Sequence, residues 1–200
     1  MKVRKGAMAA LPASVERLRI LNTRLPQSCF QSDPVQQAII SPSRLTELDF
    51  SGSNSTELEV RQATTTWPHV TTLKLNECRL GPIVELVPNL DRLEVLEAKD
   101  ASICTWDLGV ISRHVGGTLR RLSIARSEMT VGGASVIGDK LINLESLDIS
   151  GSRQLSPVAF FIFANLRPTL RFLDISDTNV DGGTSMCSDC ACQPATSSTS

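Results

Sequence analysis

An apolar triplet with the spacing of L-x-x-L-x-L recurs seven times along this chain. Its copies are Val15/Leu18/Ile20, Leu45/Leu48/Phe50, Val70/Leu73/Leu75, Leu93/Leu96/Ala98, Leu119/Leu122/Ile124, Leu144/Leu147/Ile149 and Leu170/Leu173/Ile175. The steps between their first residues are 30, 25, 23, 26, 25 and 26. One triplet is trivial, but seven at a near-constant step specify an array of similar units. The phase persists beyond the triplet. Three residues on stands a small residue: Thr23, Ser53, Cys78, Ala101, Ser127, Ser152 or Thr178. Two further on an apolar residue follows at Leu25, Leu80, Ile103, Met129 and Val180. In the sixth copy it slips to Leu155; in the second Ser55 breaks it, and Leu58 is the expected substitute.

Alternating apolar residues make a short strand with one buried face. The chain then turns, and a small polar side chain there can bond to exposed backbone. The return segments carry apolar residues at helical spacings. They are Ile83/Val84/Leu86/Val87/Leu90, Trp106/Leu108/Val110/Ile111/Val115, Val136/Ile137/Leu141 and Val158/Phe160/Phe161/Ile162/Phe163/Leu166. Pro82 and Pro157 mark helix starts. Asn89, Gly116-Gly117 and Pro168 mark stops. Each unit therefore reads strand, turn, helix. A doubly wound α/β domain shares that alternation, but it has uneven strand lengths and a Gly-rich first turn. Neither is seen here.

The pattern resembles the leucine-rich repeat, L-x-x-L-x-L-x-x-[N/C/S/T]-x-L, over about Val15 to Val180. Leu144 to Ser152 and Leu170 to Thr178 resemble it most. Ser, Thr, Cys or Ala replaces the usual Asn, which is similar to the ribonuclease-inhibitor-like and cysteine-containing subclasses. The resemblance implies an α/β horseshoe of about six to seven repeats, with a parallel sheet on the concave face and helices on the convex face. It also implies a non-enzymatic module that binds a protein on the concave face. Leu11-Pro12-Ala13-Ser14-Val15 faintly resembles the opening of an F-box. That suggests an alternative role, the substrate-receptor portion of a ubiquitin ligase, with ligase components as partners. The expected organisation is an N-terminal segment 1–14, a repeat array 15–183 and a flexible Cys/Ser/Thr-rich tail 184–200. The first step, with Pro34 and Pro42, is the least regular.

Composition narrows the class. With no Tyr, two Trp and six Phe, the core must be aliphatic. A formal charge of −1 supplies no global field for nucleic acid or an anionic membrane. No apolar run approaches the length of a transmembrane helix. Met1 to Lys5 is basic, but Pro12 and Glu16 cut short the apolar stretch that a signal peptide needs. Cys187, Cys190 and Cys192 form a C-x2-C-x-C cluster without a local fourth zinc ligand. Only eight residues follow Cys192, too few for a disulfide-bonded cap. All six cysteines are expected as free thiols, in the cytoplasm, with no metal or cofactor.

Other motifs fail on chemistry. Asp177 to Gly182 matches half of a calcium loop, but Ser188 stands where the bidentate Glu belongs. Gly133 to Lys140 approaches a P-loop, but Asp139 sits where Lys should follow Gly138. Asn54-Ser55-Thr56 fits a glycosylation acceptor and matters only in a secreted chain. No catalytic set is found, so an enzyme is not expected.

What remains is the strand surface. One residue per copy forms a central column: Arg19, Asp49, Lys74, Glu97, Ser123, Asp148 and Asp174. The fifth copy adds Arg120, Arg121 and Arg126. Glu94, Glu97 and Asp100 stand on one side of it, Glu145 and Asp148 on the other. Strands about 4.8 Å apart let these charges meet. Two readings stay open: mutual neutralisation on a solvated sheet, or a mixed-charge docking surface. The candidate contacts are Arg120, Arg121, Arg126, Glu97, Asp148 and Asp174. With Phe172 the lone aromatic on the strands, a nucleic-acid groove is not expected.

Overall fold

The computed structural model describes residues 11–20, 44–78, 86–101, 103–163, 166 and 168–179. Each triplet that the sequence shows carries a three-residue strand. These are β1 (Arg17–Arg19), β2 (Glu47–Asp49), β3 (Thr72–Lys74), β4 (Val95–Glu97), β5 (Arg121–Ser123), β6 (Ser146–Asp148) and β7 (Phe172–Asp174). They form one open, all-parallel sheet in chain order. The middle residues stay in register throughout: Leu18, Leu48, Leu73, Leu96, Leu122, Leu147, Leu173. Parallel strands in chain order need crossovers of one hand, which keep the connecting segments on one face of the sheet.

The core lies between those segments and the sheet. From Leu45 to Ile149, all three residues of every triplet are buried. Full burial of a leucine side chain is worth about 2 kcal/mol, so the stacked triplets are the main cohesive force. Burial fades at the two ends, where Leu18, Leu170, Leu173 and Ile175 are only partly covered.

Among the described residues, α-helices follow the turns at α1 (Glu57–Thr66), α2 (Thr105–Val115), α3 (Val131–Lys140) and α4 (Val158–Phe163). Helix α1 starts on a capping box in which Thr56 and Glu59 satisfy each other's backbone N–H groups. In α2 the Asp107 carboxylate accepts the Cys104 N–H at 2.9 Å, and Gly116 ends the helix. Helices α2, α3 and α4 pack in succession.

Three expectations are corrected. The segment ending at Asn89 forms a 3-10 helix, Val87–Asn89, among its described residues. Pro88 has no N–H to donate, which disfavours an α-helical turn there. Leu58 does not replace the apolar residue missing at Ser55; it stays part-exposed, and Ser55 itself is buried. The helix beginning at Glu57 turns Val60, Ala63 and Trp67 inward instead. Trp106, Val158 and Phe161, counted in the apolar helical spacings, do not face the core and are exposed at 63%, 57% and 75%. The proposed tail 184–200, with Cys187, Cys190 and Cys192, lies outside the described residues, as do Leu25, Leu80 and Val180.

Candidate functional site

The strand surface facing away from the helices is built by lateral pairing. Arg17 reaches Glu47 at 3.4 Å, and Arg19 reaches Asp49 at 2.7 Å. Lys74 sits between Glu47 at 3.3 Å and Glu97 at 3.7 Å. Burial opposes the charge on Lys74, but those two carboxylates outweigh it and raise the pKa of the ammonium. Glu97 also accepts from Asn76 Nδ2 at 3.2 Å.

Asp148 is the most engaged acid of the column. It takes Lys99 at 2.7 Å, the Ser123 hydroxyl at 2.9 Å and the Ser150 hydroxyl at 2.8 Å. Burial opposes its charge, yet the hydrogen bonds from Lys99, Ser150 and Ser123 prevail and hold the carboxyl at about 2. Lys99 belongs to the turn after β4 and Asp148 to β6, so this contact passes over β5. The small side chains of Ser123 and Ala125 leave the path open.

The turns form a second row beside the strands. Gly52, Glu77, Asp100, Arg126, Gly151 and Asp177 all have a φ between 55° and 71°. Gly52, Glu77, Asp100, Arg126 and Gly151 donate their N–H to a carbonyl in the following turn, so the ladder continues past each strand. The small residues that follow are buried, as the pattern implies. Cys78 Sγ donates to the Phe50 carbonyl at 3.0 Å, Thr178 Oγ1 donates to the Ile175 carbonyl at 2.6 Å, and the Ser127 and Ser152 hydroxyls meet at 3.2 Å. Burial pushes the Cys78 thiol up.

The three arginines of the fifth copy are used differently. Arg120 precedes β5 and pairs with Glu145. Arg126 follows β5 and grips Asp100 with Nε and a terminal nitrogen. That pairing lowers the Asp100 pKa and raises that of Arg126. Arg121, on β5 itself, is exposed and its guanidinium has no hydrogen-bond or ion-pair partner among the described residues. In register beside it stand Val95 and Ser146. Asp148 goes to Lys99 rather than to an arginine, because Lys99 reaches it across the short side chains of β5. Asp174 accepts from the N–H and hydroxyl of Ser176.

Sequence reasoning missed Lys99 and Asn76. Both follow a strand by two positions, where the pattern assigns no role. Among the described residues, no group of three or more His, Cys, Asp or Glu side chains could hold a metal ion, and no helix is long and apolar enough to cross a membrane. A scan against protein-family models finds no match, and a search of curated proteins finds no similar sequence.

Proposed function

We propose that this chain is a leucine-rich-repeat solenoid whose concave strand surface docks a protein partner, without catalysis of its own. The observation that carries the docking reading is the unequal use of charge on that surface. Arg17, Arg19, Lys74 and Lys99, on the strands or just after them, are each held by a carboxylate of another unit. The Arg121 guanidinium, mid-sheet and beside Val95, is left for something else. An arginine fork suits a carboxylate or phosphate on a partner. The array supports the reading, since a sheet stiffened by lateral ion pairs presents its side chains in fixed order.

The ubiquitin-ligase alternative gains nothing from Leu11 to Val15. Leu11 packs on the core and the Val15 N–H donates to the Pro12 carbonyl, so these residues serve as the approach to β1. A cytoplasmic setting is supported by Cys78, which serves as a small buried thiol in its turn.

The test places a photo-crosslinking residue at Arg121 on the sheet or at Arg113 on α2, in native lysate. The partner recovered is then purified, and its binding to Arg121→Glu and Arg113→Glu chains is measured. The proposal expects cross-linking from the Arg121 position and weakened binding for Arg121→Glu alone. Binding lost only with Arg113→Glu would move the site to the helical side.

A further inference from the structure

Every internal join of the sheet repeats one hydrogen-bond pattern. The residue before a strand and the strand's first residue donate their N–H groups to one carbonyl of the preceding unit. Glu145 and Ser146 do so to Arg120. The residue after a strand donates to the last residue of the next strand, as Ile149 does to Asp174. At the ends this pattern is half made. The outer edge of β7 carries the Arg171 carbonyl and the Ile175 N–H. The outer edge of β1 carries the N–H groups of Glu16 and Arg17 and the Arg19 carbonyl. Among the described residues these groups have no partner. Each missing donor at one end matches a missing acceptor at the other.

The side chains match as well. Inside the sheet, opposite charges in register pair laterally, as Arg19 with Asp49 and Arg120 with Glu145. Carrying the register one strand past β7 sets Arg171 beside Glu16, Phe172 beside Arg17 and Asp174 beside Arg19. Two of these are ion pairs, and the third lays a guanidinium against an aromatic ring that is 55% exposed. Asp174 has the most to gain. It lies in register with Asp148, a like charge, and its hydrogen bonds come from Ser176 alone among the described residues. The apolar residues agree: Leu18 and Leu173 are only partly covered, whereas their five internal counterparts are buried.

We propose that copies of this chain associate head to tail, with β7 of one copy extending its parallel sheet onto β1 of the next. The contact joins the two ends of the sheet, and its test reads self-association alone, so it does not depend on the function proposed above although Arg19 and Asp174 also belong to the strand surface. The two patches differ, so the contact propagates as a string of copies, open or closed into a ring, rather than as a dimer in which both copies use the same patch.

The full chain is examined by sedimentation velocity and light scattering over a range of concentrations, at low and high salt. The average mass should rise with concentration and fall as salt screens the ion pairs. Glu16 and Arg171 have no side-chain ion pair among the described residues, so reversing them breaks none; Arg171→Glu does stand in register with Glu145, and circular dichroism with an unfolding midpoint checks that each variant still folds. Arg171→Glu and Glu16→Arg should each weaken association by about tenfold or more, since like charges then oppose each other. A chain carrying both reversals should regain it. A single monomeric species at every concentration would overturn the proposal. So would a discrete dimer, assembly indifferent to the single reversals, or no recovery in the double variant.

Discussion

The Arg126 guanidinium grips the Asp100 carboxylate from one turn to the turn before it, while its own stem lies over Gly151 in the turn after it. A Cβ added at Gly151 would stand 2.7 Å from Arg126 Cγ. Three successive units are thus tied by one side chain, and both ends of the ion pair sit in the left-handed region.

Two glycines separate the cost of the backbone from the cost of that crowding. Gly52 has a φ of 64° and open space where a Cβ would go; Gly151 has a φ of 71° and Arg126 in the way. Gly52→Ala should cost about 1 kcal/mol, the price of a left-handed alanine. Gly151→Ala should cost about 2–3 kcal/mol, because strain and a displaced arginine add to it. In an Arg126→Ala background the excess should vanish, leaving the two glycine substitutions equal. Urea denaturation of the five chains measures this. An excess that persists without Arg126 would show that the crowding comes from elsewhere.

Asp148 makes stability depend on pH in a stated window. Its folded-state pKa of about 2 lies below the unfolded value near 3.8. A lowered carboxyl pKa means that the folded state prefers the charged form, so the contribution is complete above about pH 4. It is lost as pH falls from there through 2. The contribution should be about 1–2 kcal/mol, since the side chain is only 13% exposed. Asp148→Asn should lower stability at neutral pH and flatten the stability profile between pH 4 and pH 2. Unfolding midpoints across that range, with carboxyl titration followed by NMR, provide the check. A wild-type profile as flat as the variant's would mean that Lys99, Ser123 and Ser150 do not hold this acid.

Much of the fold was legible because its information is local and periodic. The leucines at Leu48, Leu73, Leu96, Leu122 and Leu147 announce strands by alternation, and a constant step announces that the strands stack in order. The left-handed column of turns was harder to see. Gly52 and Gly151 share a phase and could have flagged it, but Glu77, Asp100, Arg126 and Asp177 occupy the same phase with ordinary side chains. The site was legible only as rows of charge. Which acid each cation reaches depends on lateral distance and on the size of what lies between. Lys99 reaches Asp148 because Ser123 and Ala125 are small, a three-strand relationship that no single triplet records.

Leu147 tests the stacking itself. It is fully buried on β6, in register with Leu122 on one side and Leu173 on the other. Leu147→Asp would place a charge where no cation or donor awaits it and should cost about 3–5 kcal/mol. Neighbouring units depend on each other's surface, so hydrogen-exchange protection should fall in β5 and β7 as well as in β6. A loss confined to β6, or an unfolding midpoint equal to that of the wild type, would mean that the units are not energetically coupled.

Arg121 separates binding from stability. Its guanidinium is exposed and has no partner among the described residues, so Arg121→Ala should leave the unfolding midpoint unchanged within error. Arg120→Ala removes a pair with Glu145 that is largely exposed, so its effect on stability should also be small, about 0–1 kcal/mol. The two should differ in binding. If a partner carboxylate or phosphate seats on the free fork, Arg121→Ala should weaken binding of the purified partner by about tenfold or more. Arg120→Ala should weaken it less, because Glu145 already occupies that guanidinium. Added salt should weaken wild-type binding and leave Arg121→Ala nearly indifferent. Equal losses from both substitutions, with the same salt response, would mean that the partner reads the general charge of β5 and not the unpaired arginine.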